Sequence, residues 1–208
     1  PDYETKTSYS ATVTASDGTN STTQDITITI TDIDDTAPVF TSSASFSAAE
    51  NQTSIGTVTA TDVDTDNASI IFSISGSELS ITSGGVLTFA STPDYETKSS
   101  YSATVTASDG TNSSTQDITV TVTNVNDNSP VFTSGAAFSV VENQTGIGTI
   151  IATDDDGDTL SFSLSGTDAS SMSINSSSGV LVFSSPPDYE TKISYSAIVT
   201  VSDGINSV

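Results

Sequence analysis

Ser100–Ala107 reads SYSATVTA, and the alternation within it decides the fold. Tyr101, Ala103, Val105 and Ala107 fall on one side of an extended chain, and Ser or Thr fills the other. Side chains of a β-strand alternate between faces, so a period of two marks a strand with one face in a core and one in water. PDYETK (Pro93–Lys98) stands just upstream and ASDG (Ala107–Gly110) just downstream. The same phrase occurs twice more. PDYETK also begins at Pro1 and at Pro187, while TASDGTNS begins at Thr14 and Thr106 and decays to TVSDGINS at Thr200. Tyr3, Tyr95 and Tyr189 mark a period of 92 and then 94 residues. AAENQT ending at Thr53 returns as VVENQT ending at Thr145. A repeat of this length is a small domain. Positions 1–31 and 93–123 are nearly identical, as expected of a longer tandem array.

The boundaries expected from this period are 1–36 for the closing part of one repeat, 37–128 for a complete repeat, and 129–208 for a repeat lacking its last strand. Within the complete repeat, alternating segments separated by turn residues predict seven strands, at 39–49, 55–61, 69–75, 79–82, 86–90, 99–108 and 115–123. Val58, Ala60, Phe72, Ile74, Leu87, Phe89, Tyr101, Val105, Ile118, Val120 and Val122 form the expected core. The fold class is all-β, as tandem seven-stranded Greek-key β-sandwiches joined end to end.

The composition excludes several functions. The chain of 208 residues carries a formal net charge of -23, with no Cys, no His and no Trp. Without His or Cys there is no Ser-His-Asp or Cys-His nucleophile and no ordinary zinc site. The negative charge repels nucleic acid and anionic lipid. No apolar run approaches the ~20 residues of a membrane span. A chain beginning with Pro1 and bearing no signal peptide reads as a window from something longer. The three lysines, Lys6, Lys98 and Lys192, all lie in PDYETK and read most simply as solubilising charges.

The acids are placed less evenly. Counting chain reversals through seven strands puts Glu50, Asp94, Glu96 and Asp127 at one pole of the complete repeat and Asp62, Asp64 and Asp109 at the other. Asp66, Glu78 and Asp117 lie elsewhere and read, like Asp25, as surface charge. An odd strand number sends the termini to opposite poles, so Glu50, Asp94, Glu96 and Asp127 are expected to face Asp154, Asp156 and Asp203 of the next repeat. At ~4 Å each like-charge pair costs about 1 kcal/mol even in water. Such crowding calls for cations. Ca²⁺ accepts roughly 6–8 oxygens at about 2.3–2.6 Å from carboxylates, amides and backbone carbonyls. DVDTDN at Asp62 imitates the start of an EF-hand loop, but Ser73 stands where that loop needs Glu.

AENQ, DVD, PDYET, ASDG and NVNDNSPVF stand in the order and spacing of the cadherin repeat family, which the whole chain resembles. The acidic, Cys-free, nearly identical repeats suggest a bacterial surface or secreted protein. The resemblance implies about three Ca²⁺ ions per complete junction, which stiffen the row of domains. It assigns the second junction to Glu50, Asp94, Glu96, the Val125 carbonyl, Asn126, Asp127, the Asn128 carbonyl, Asp154, Asp156 and Asp203. It assigns the first junction to Asp2, Glu4, the Ile33 carbonyl, Asp34, Asp35, the Thr36 carbonyl, Asp62, Asp64 and Asp109, with the Asn67 carbonyl joining. Glu142, Asp188 and Glu190 await a further repeat. DIDDT (Asp32–Thr36) and NVNDN (Asn124–Asn128) differ at their first residue, where Asn124 cannot offer a carboxylate. The implied function is an extracellular structural or adhesive rod, not an enzyme. Its partners are neighbouring repeats of the same chain, and beyond them other copies in a fibre or a surface glycan or protein. The alternative is a calcium-stabilised module binding polysaccharide, although a sugar platform usually shows Trp and this chain has none.

Overall fold

The computed structural model describes residues 1–64 and 69–208. It divides into two compact units, Pro1–Thr123 and Asn124–Val208.

The first unit opens with a hairpin of β1 (Ser8–Ser16) and β2 (Ser21–Thr29), paired in register from Ser8↔Thr29 to Ser16↔Ser21, every residue of it exposed. The complete repeat follows. β3 (Val39–Phe40) pairs with β6 (Ala60–Thr61), and β5 (Ser54–Thr57) and β8 (Leu79–Ile81) flank β9 (Val86–Phe89). The opposing sheet has the order β4 (Ser45–Ala49), β11 (Ser113–Thr123), β10 (Ser100–Ser108) and β7 (Ile71–Ile74). β4 runs parallel to β11, and the other pairs are antiparallel. Two expected strands are therefore divided. The 39–49 segment breaks between β3 and β4, and 55–61 between β5 and β6, because each half hydrogen-bonds to a different partner. Period-two patterning shows which face is apolar but not which neighbour a strand keeps along its length.

SYSATVTA behaves as its alternation requires: Val105 and Ala107 are fully buried, and Tyr101 and Ala103 pack partly buried against the same core. Val58, Leu87, Ile118, Val120 and Val122 complete its centre. Burying each such side chain contributes about 1.5–3 kcal/mol. Ala48, Ile70 and Leu79 are also buried, beyond the expected set, while Ala60 and Ile74 are only partly so. Tyr101 meets Phe89 edge-on, with ring centroids 5.1 Å apart.

The second unit repeats this plan. β12 (Val131–Phe132) pairs with β14 (Ala152–Thr153), and β13 (Gly146–Thr149) and β16 (Met172–Ile174) flank β17 (Val180–Phe183). β15 (Ser161–Ser165) pairs with β18 (Ile198–Ser202) over a small core of Ile150, Phe162 and Val201.

The lysines do more than solubilise. Each stacks on the tyrosine three residues later: Lys6 on Tyr9 at 4.3 Å, Lys98 on Tyr101 at 4.5 Å, Lys192 on Tyr195 at 4.7 Å from the ring centroids. Lys98 also pairs with Glu78 at 2.5 Å, and Lys192 with Asp168.

Candidate metal centre

Three loops build the acid site of the first unit, and backbone N–H groups fix the carboxylates of two of them. In ASDG, Asp109 Oδ1 accepts from the N–H groups of Thr111 (2.7 Å) and Asn112 (2.6 Å). In DVD, Asp62 Oδ1 accepts from the Asp64 N–H at 2.9 Å. Asp64 Oδ2 in turn accepts from the linker N–H groups of Asp35 (3.1 Å) and Thr36 (2.7 Å). Asn112 ties the third loop to the linker, donating from Nδ2 to the backbone carbonyl of Asp34 at 3.3 Å and to its Oδ1 at 3.2 Å. The linker, DVD and ASDG are thus one hydrogen-bonded body.

What these bonds leave over is informative. Asp64 Oδ1 and Asp109 Oδ2 are shielded from solvent and have no donor. Buried polar atoms are nearly always satisfied, and an ionised carboxylate oxygen accepts only from a donor or a cation. Glu4, Asp32 and Asp64 each bring a carboxylate oxygen within 4.8 Å of the others. This donor set is all oxygen, which suits a hard divalent cation such as Ca²⁺.

Protonation reflects the crowding. The Glu4 carboxyl is lowered by its own backbone N–H, but the facing Asp64 carboxyl, burial and Asp2 outweigh this and push it up to about 7. Burial works against charge on Asp64, yet the Thr36 contacts, Glu4 and the Asp35 N–H hold it below the usual range. A carboxyl raised on folding binds more protons folded than unfolded. Its contribution is fully present below the unfolded value of 4.5 and is lost as pH rises through about 7. Thermal melts in chelator are therefore expected to show falling stability between pH 4.5 and 7, and excess Ca²⁺ to flatten that slope.

PDYE supplies the other pole of a repeat. Glu50 is buried, with Oε2 accepting the Tyr95 N–H at 2.7 Å. Its neighbour Asn51 adopts a φ of 62° and donates its N–H to the Pro93 carbonyl, which holds ENQT against PDYE. Asn accepts that left-handed conformation more readily than most residues. Asp94 caps its own loop. Its Oδ1 accepts the Thr97 N–H and its Oδ2 the Thr97 hydroxyl, which keep its carboxyl below the usual range. Both Asp2 oxygens are likewise bound to Thr5. The leading Asp thus shapes its loop in both copies.

The second unit repeats both constructions. Asp156 Oδ2 accepts from the N–H groups of Asp127 (3.0 Å) and Asn128 (2.8 Å), and Asp154 Oδ1 from the Asp156 N–H (3.0 Å). Asp154 Oδ2 is again shielded and without a donor. Asp203 Oδ1 takes the N–H groups of Ile205 and Asn206, both at 2.6 Å. Asn206 Nδ2 donates to Asn126 Oδ1 at 2.9 Å and to the Asn128 carbonyl at 3.0 Å. Glu142, Asp188 and Glu190 come within 4.8 Å of one another, with Glu142 Oε2 accepting the Tyr189 N–H at 3.0 Å.

Two members escaped the sequence. Asp32 joins Glu4 and Asp64, and its counterpart Asn124 donates from Nδ2 to the Asp156 carbonyl at 2.8 Å. The first linker position thus faces the DxD loop in both units. Asp158 joins Asp154 and Asp156, and the D-x-D-x-D spacing was its signal. Asn67, an expected carbonyl ligand, and Asp66 lie outside the described residues.

Sandwiches of two mainly antiparallel sheets, repeated along the chain and carrying backbone-anchored acid loops, define a class of Ig-like tandem repeat. Residues 43–123 match the cadherin domain family, and the chain as a whole is similar to proteins that carry cadherin domains. It is 33% identical over 194 residues to Cadherin EGF LAG seven-pass G-type receptor 2 of Mus musculus, covering 86% of this chain and 7% of that protein. It is 36% identical over 207 residues to Protocadherin Fat 4 of Homo sapiens, covering 88% of this chain and 4% of that protein. The chain thus spans a small fraction of these relatives. Among solved structures, the extracellular cadherin domains 3-6 of Protocadherin Gamma B2 give a TM-score of 0.81 at 26% identity, covering all of this chain and 58% of that one. A segment of mouse Cadherin-23 gives 0.74 at 28% identity, covering 98% and 72%. These relatives are animal proteins and lend no support to a bacterial source.

Proposed function

We infer that the acid loops hold Ca²⁺ where successive repeats meet, and that the ions stiffen a row of repeats into an extracellular structural or adhesive rod. One observation carries this reading: shielded carboxylate oxygens without donors, Asp64 Oδ1 and Asp109 Oδ2, on side chains whose other oxygens are anchored by backbone N–H groups. Donors anchored in this way lose little freedom when a cation binds.

At the first junction, Glu4, Asp32, Asp62, Asp64 and Asp109 are the ligands, with Asp34, Asp35 and the Ile33 and Thr36 carbonyls available from the linker. By the sequence repeat, the corresponding positions one period on are Glu50, Asp94 and Glu96, then Val125–Asn128, then Asp154, Asp156 and Asp203. The bound ions supply positive charge that offsets carboxylate repulsion and join linker to loop. Extracellular modules bind Ca²⁺ at about 10⁻⁴–10⁻³ M, so the rod is stiff outside cells and loose inside.

Small-angle scattering tests this. In millimolar Ca²⁺ the chain is expected to scatter as an extended, rigid particle, and EGTA to make it more compact or flexible. Profiles unchanged by chelation overturn the reading.

A further inference from the structure

The Asp-Gly turn closes in the same way three times, in TASDGTNS (Thr14–Ser21 and Thr106–Ser113) and in TVSDGINS (Thr200–Ser207). The backbone of its Asn does the closing. The N–H groups of Asn20, Asn112 and Asn206 donate to Oδ1 of Asp17, Asp109 and Asp203 at 2.7, 2.6 and 2.6 Å. Their carbonyls accept the N–H of the same Asp at 3.1, 3.3 and 3.3 Å, and the hydroxyl of the Ser before it. Any residue but Pro can make these backbone bonds. The turn itself therefore does not call for an amide side chain.

The amide acts on the linker. Asn112 Nδ2 reaches the carbonyl of Asp34, 78 residues back, at 3.3 Å, and Asp34 Oδ1 at 3.2 Å. Asn206 Nδ2 reaches Asn126 Oδ1 at 2.9 Å and the Asn128 carbonyl at 3.0 Å, as well as Asp203 Oδ2 in its own turn at 3.1 Å. Carbonyl and carboxylate oxygens only accept, so a donor has to face them, and an Asp in place of the Asn would repel Asp34. The amide supplies that donor without adding charge, and both amides lie on partly buried residues. Elsewhere on the linkers, Asp64 Oδ2 holds the N–H groups of Asp35 and Thr36, and Asp156 Oδ2 those of Asp127 and Asn128. Each linker is thus tied twice to the repeat that follows it, and neither tie needs a cation.

We propose that Asn112, and Asn206 one period on, are positioning residues whose amides hold the linker on the following repeat before a cation arrives. The linker oxygens then stand beside the DxD and DG loops without having to be gathered by the ion, which lowers the ordering cost of binding. The inference rests on the calcium reading above, but the tie itself is measurable without metal. Its sign is also fixed. An amide that merely competed with the ion for Asp34 Oδ1 would weaken Ca²⁺ binding, whereas a positioning amide strengthens it.

Hydrogen exchange in EGTA tests the tie. Asn112→Ala keeps the backbone bonds of the turn, and the Thr36 N–H, held at 2.7 Å by Asp64 Oδ2, is expected to exchange about tenfold faster. The Val122 N–H, held by the Ser99 carbonyl in the core, is expected to keep its wild-type rate. Asn112→Asp sets a carboxylate against Asp34 and is expected to speed Thr36 at least as much. Calorimetric titration with Ca²⁺ is expected to give the double variant Asn112→Ala/Asn206→Ala an affinity about tenfold below wild type. Unchanged Thr36 exchange in both Asn112 variants overturns the proposal. Val122 accelerating together with Thr36 makes Asn112 a general prop of the fold and overturns it too, as does tighter Ca²⁺ binding by the double variant. A wild-type chain that binds no Ca²⁺ overturns the calcium reading and this inference with it, whereas equal binding by wild type and double variant overturns this inference alone.

Discussion

Chelating Ca²⁺ is expected to lower the thermal midpoint of residues 1–208 by more than about 10 °C. A ligand at 100 times its dissociation constant adds about 2.7 kcal/mol per independent site. For a repeat of this size each kcal/mol moves the midpoint by roughly 4–8 °C. The source of that stabilisation is specific. Asp64 Oδ1 and Asp109 Oδ2 are desolvated on folding without a donor, and Glu4 keeps its proton toward neutral pH because Asp64 faces it. A cation removes both penalties together. Asp64→Asn keeps the shape of the side chain but loses its charge, and it is expected to weaken Ca²⁺ binding about 100-fold and to remove much of the calcium-dependent shift. Differential scanning calorimetry with and without EGTA, on both proteins, reads the effect. Equal midpoints with and without Ca²⁺ in the wild-type chain contradict it.

The second large effect lies in the scaffold. Gly85→Ala is expected to destabilise the complete repeat by about 2–5 kcal/mol, from roughly 1–2 for a side chain in a left-handed backbone and 1–3 for overpacking. Gly85 has a φ of 88°, and a Cβ there meets the Val58 carbonyl oxygen at 2.2 Å. That backbone cannot retreat, because the Val58 N–H donates to the Gly85 carbonyl at 2.8 Å and Val58 is buried. Gly179 repeats the arrangement against Ile150, with the same 2.2 Å approach. Gly179→Ala is expected to destabilise the second unit in the same way. Gly18, Gly76, Gly110 and Gly204 also have positive φ but open space around them, so alanine there costs backbone strain alone. Urea melts of the variants check the ranking, and a Gly85→Ala protein as stable as Gly110→Ala refutes it.

Much of this was readable in the sequence, for physical reasons. A half-buried strand has to alternate, so SYSATVTA disclosed its face. The acid loops each need a fixed number of residues to wrap one carboxylate in backbone N–H groups, so SDG and PDYE returned intact in all three copies. The breaks between β3 and β4 and between β5 and β6 were not readable, because Thr and Ser tolerate either neighbour and the choice is made by pairing across the sandwich. Asp32 was hidden for another reason. Its counterpart is Asn124, and an amide that donates to the Asp156 carbonyl occupies the place of a carboxylate that joins Glu4 and Asp64. The position is spatially constant while its chemistry changes. The lysines looked incidental by composition, and only the fold shows each one resting on the tyrosine of its own repeat.

Diffraction from crystals of residues 1–208 grown in millimolar Ca²⁺ tests the central claim most directly. Anomalous density is expected about 2.3–2.6 Å from Asp64 Oδ1 and Asp109 Oδ2, with Glu4 and Asp32 in the same coordination shells. Water or a hydrogen-bond donor at those two oxygens, with no ion beside them, contradicts it.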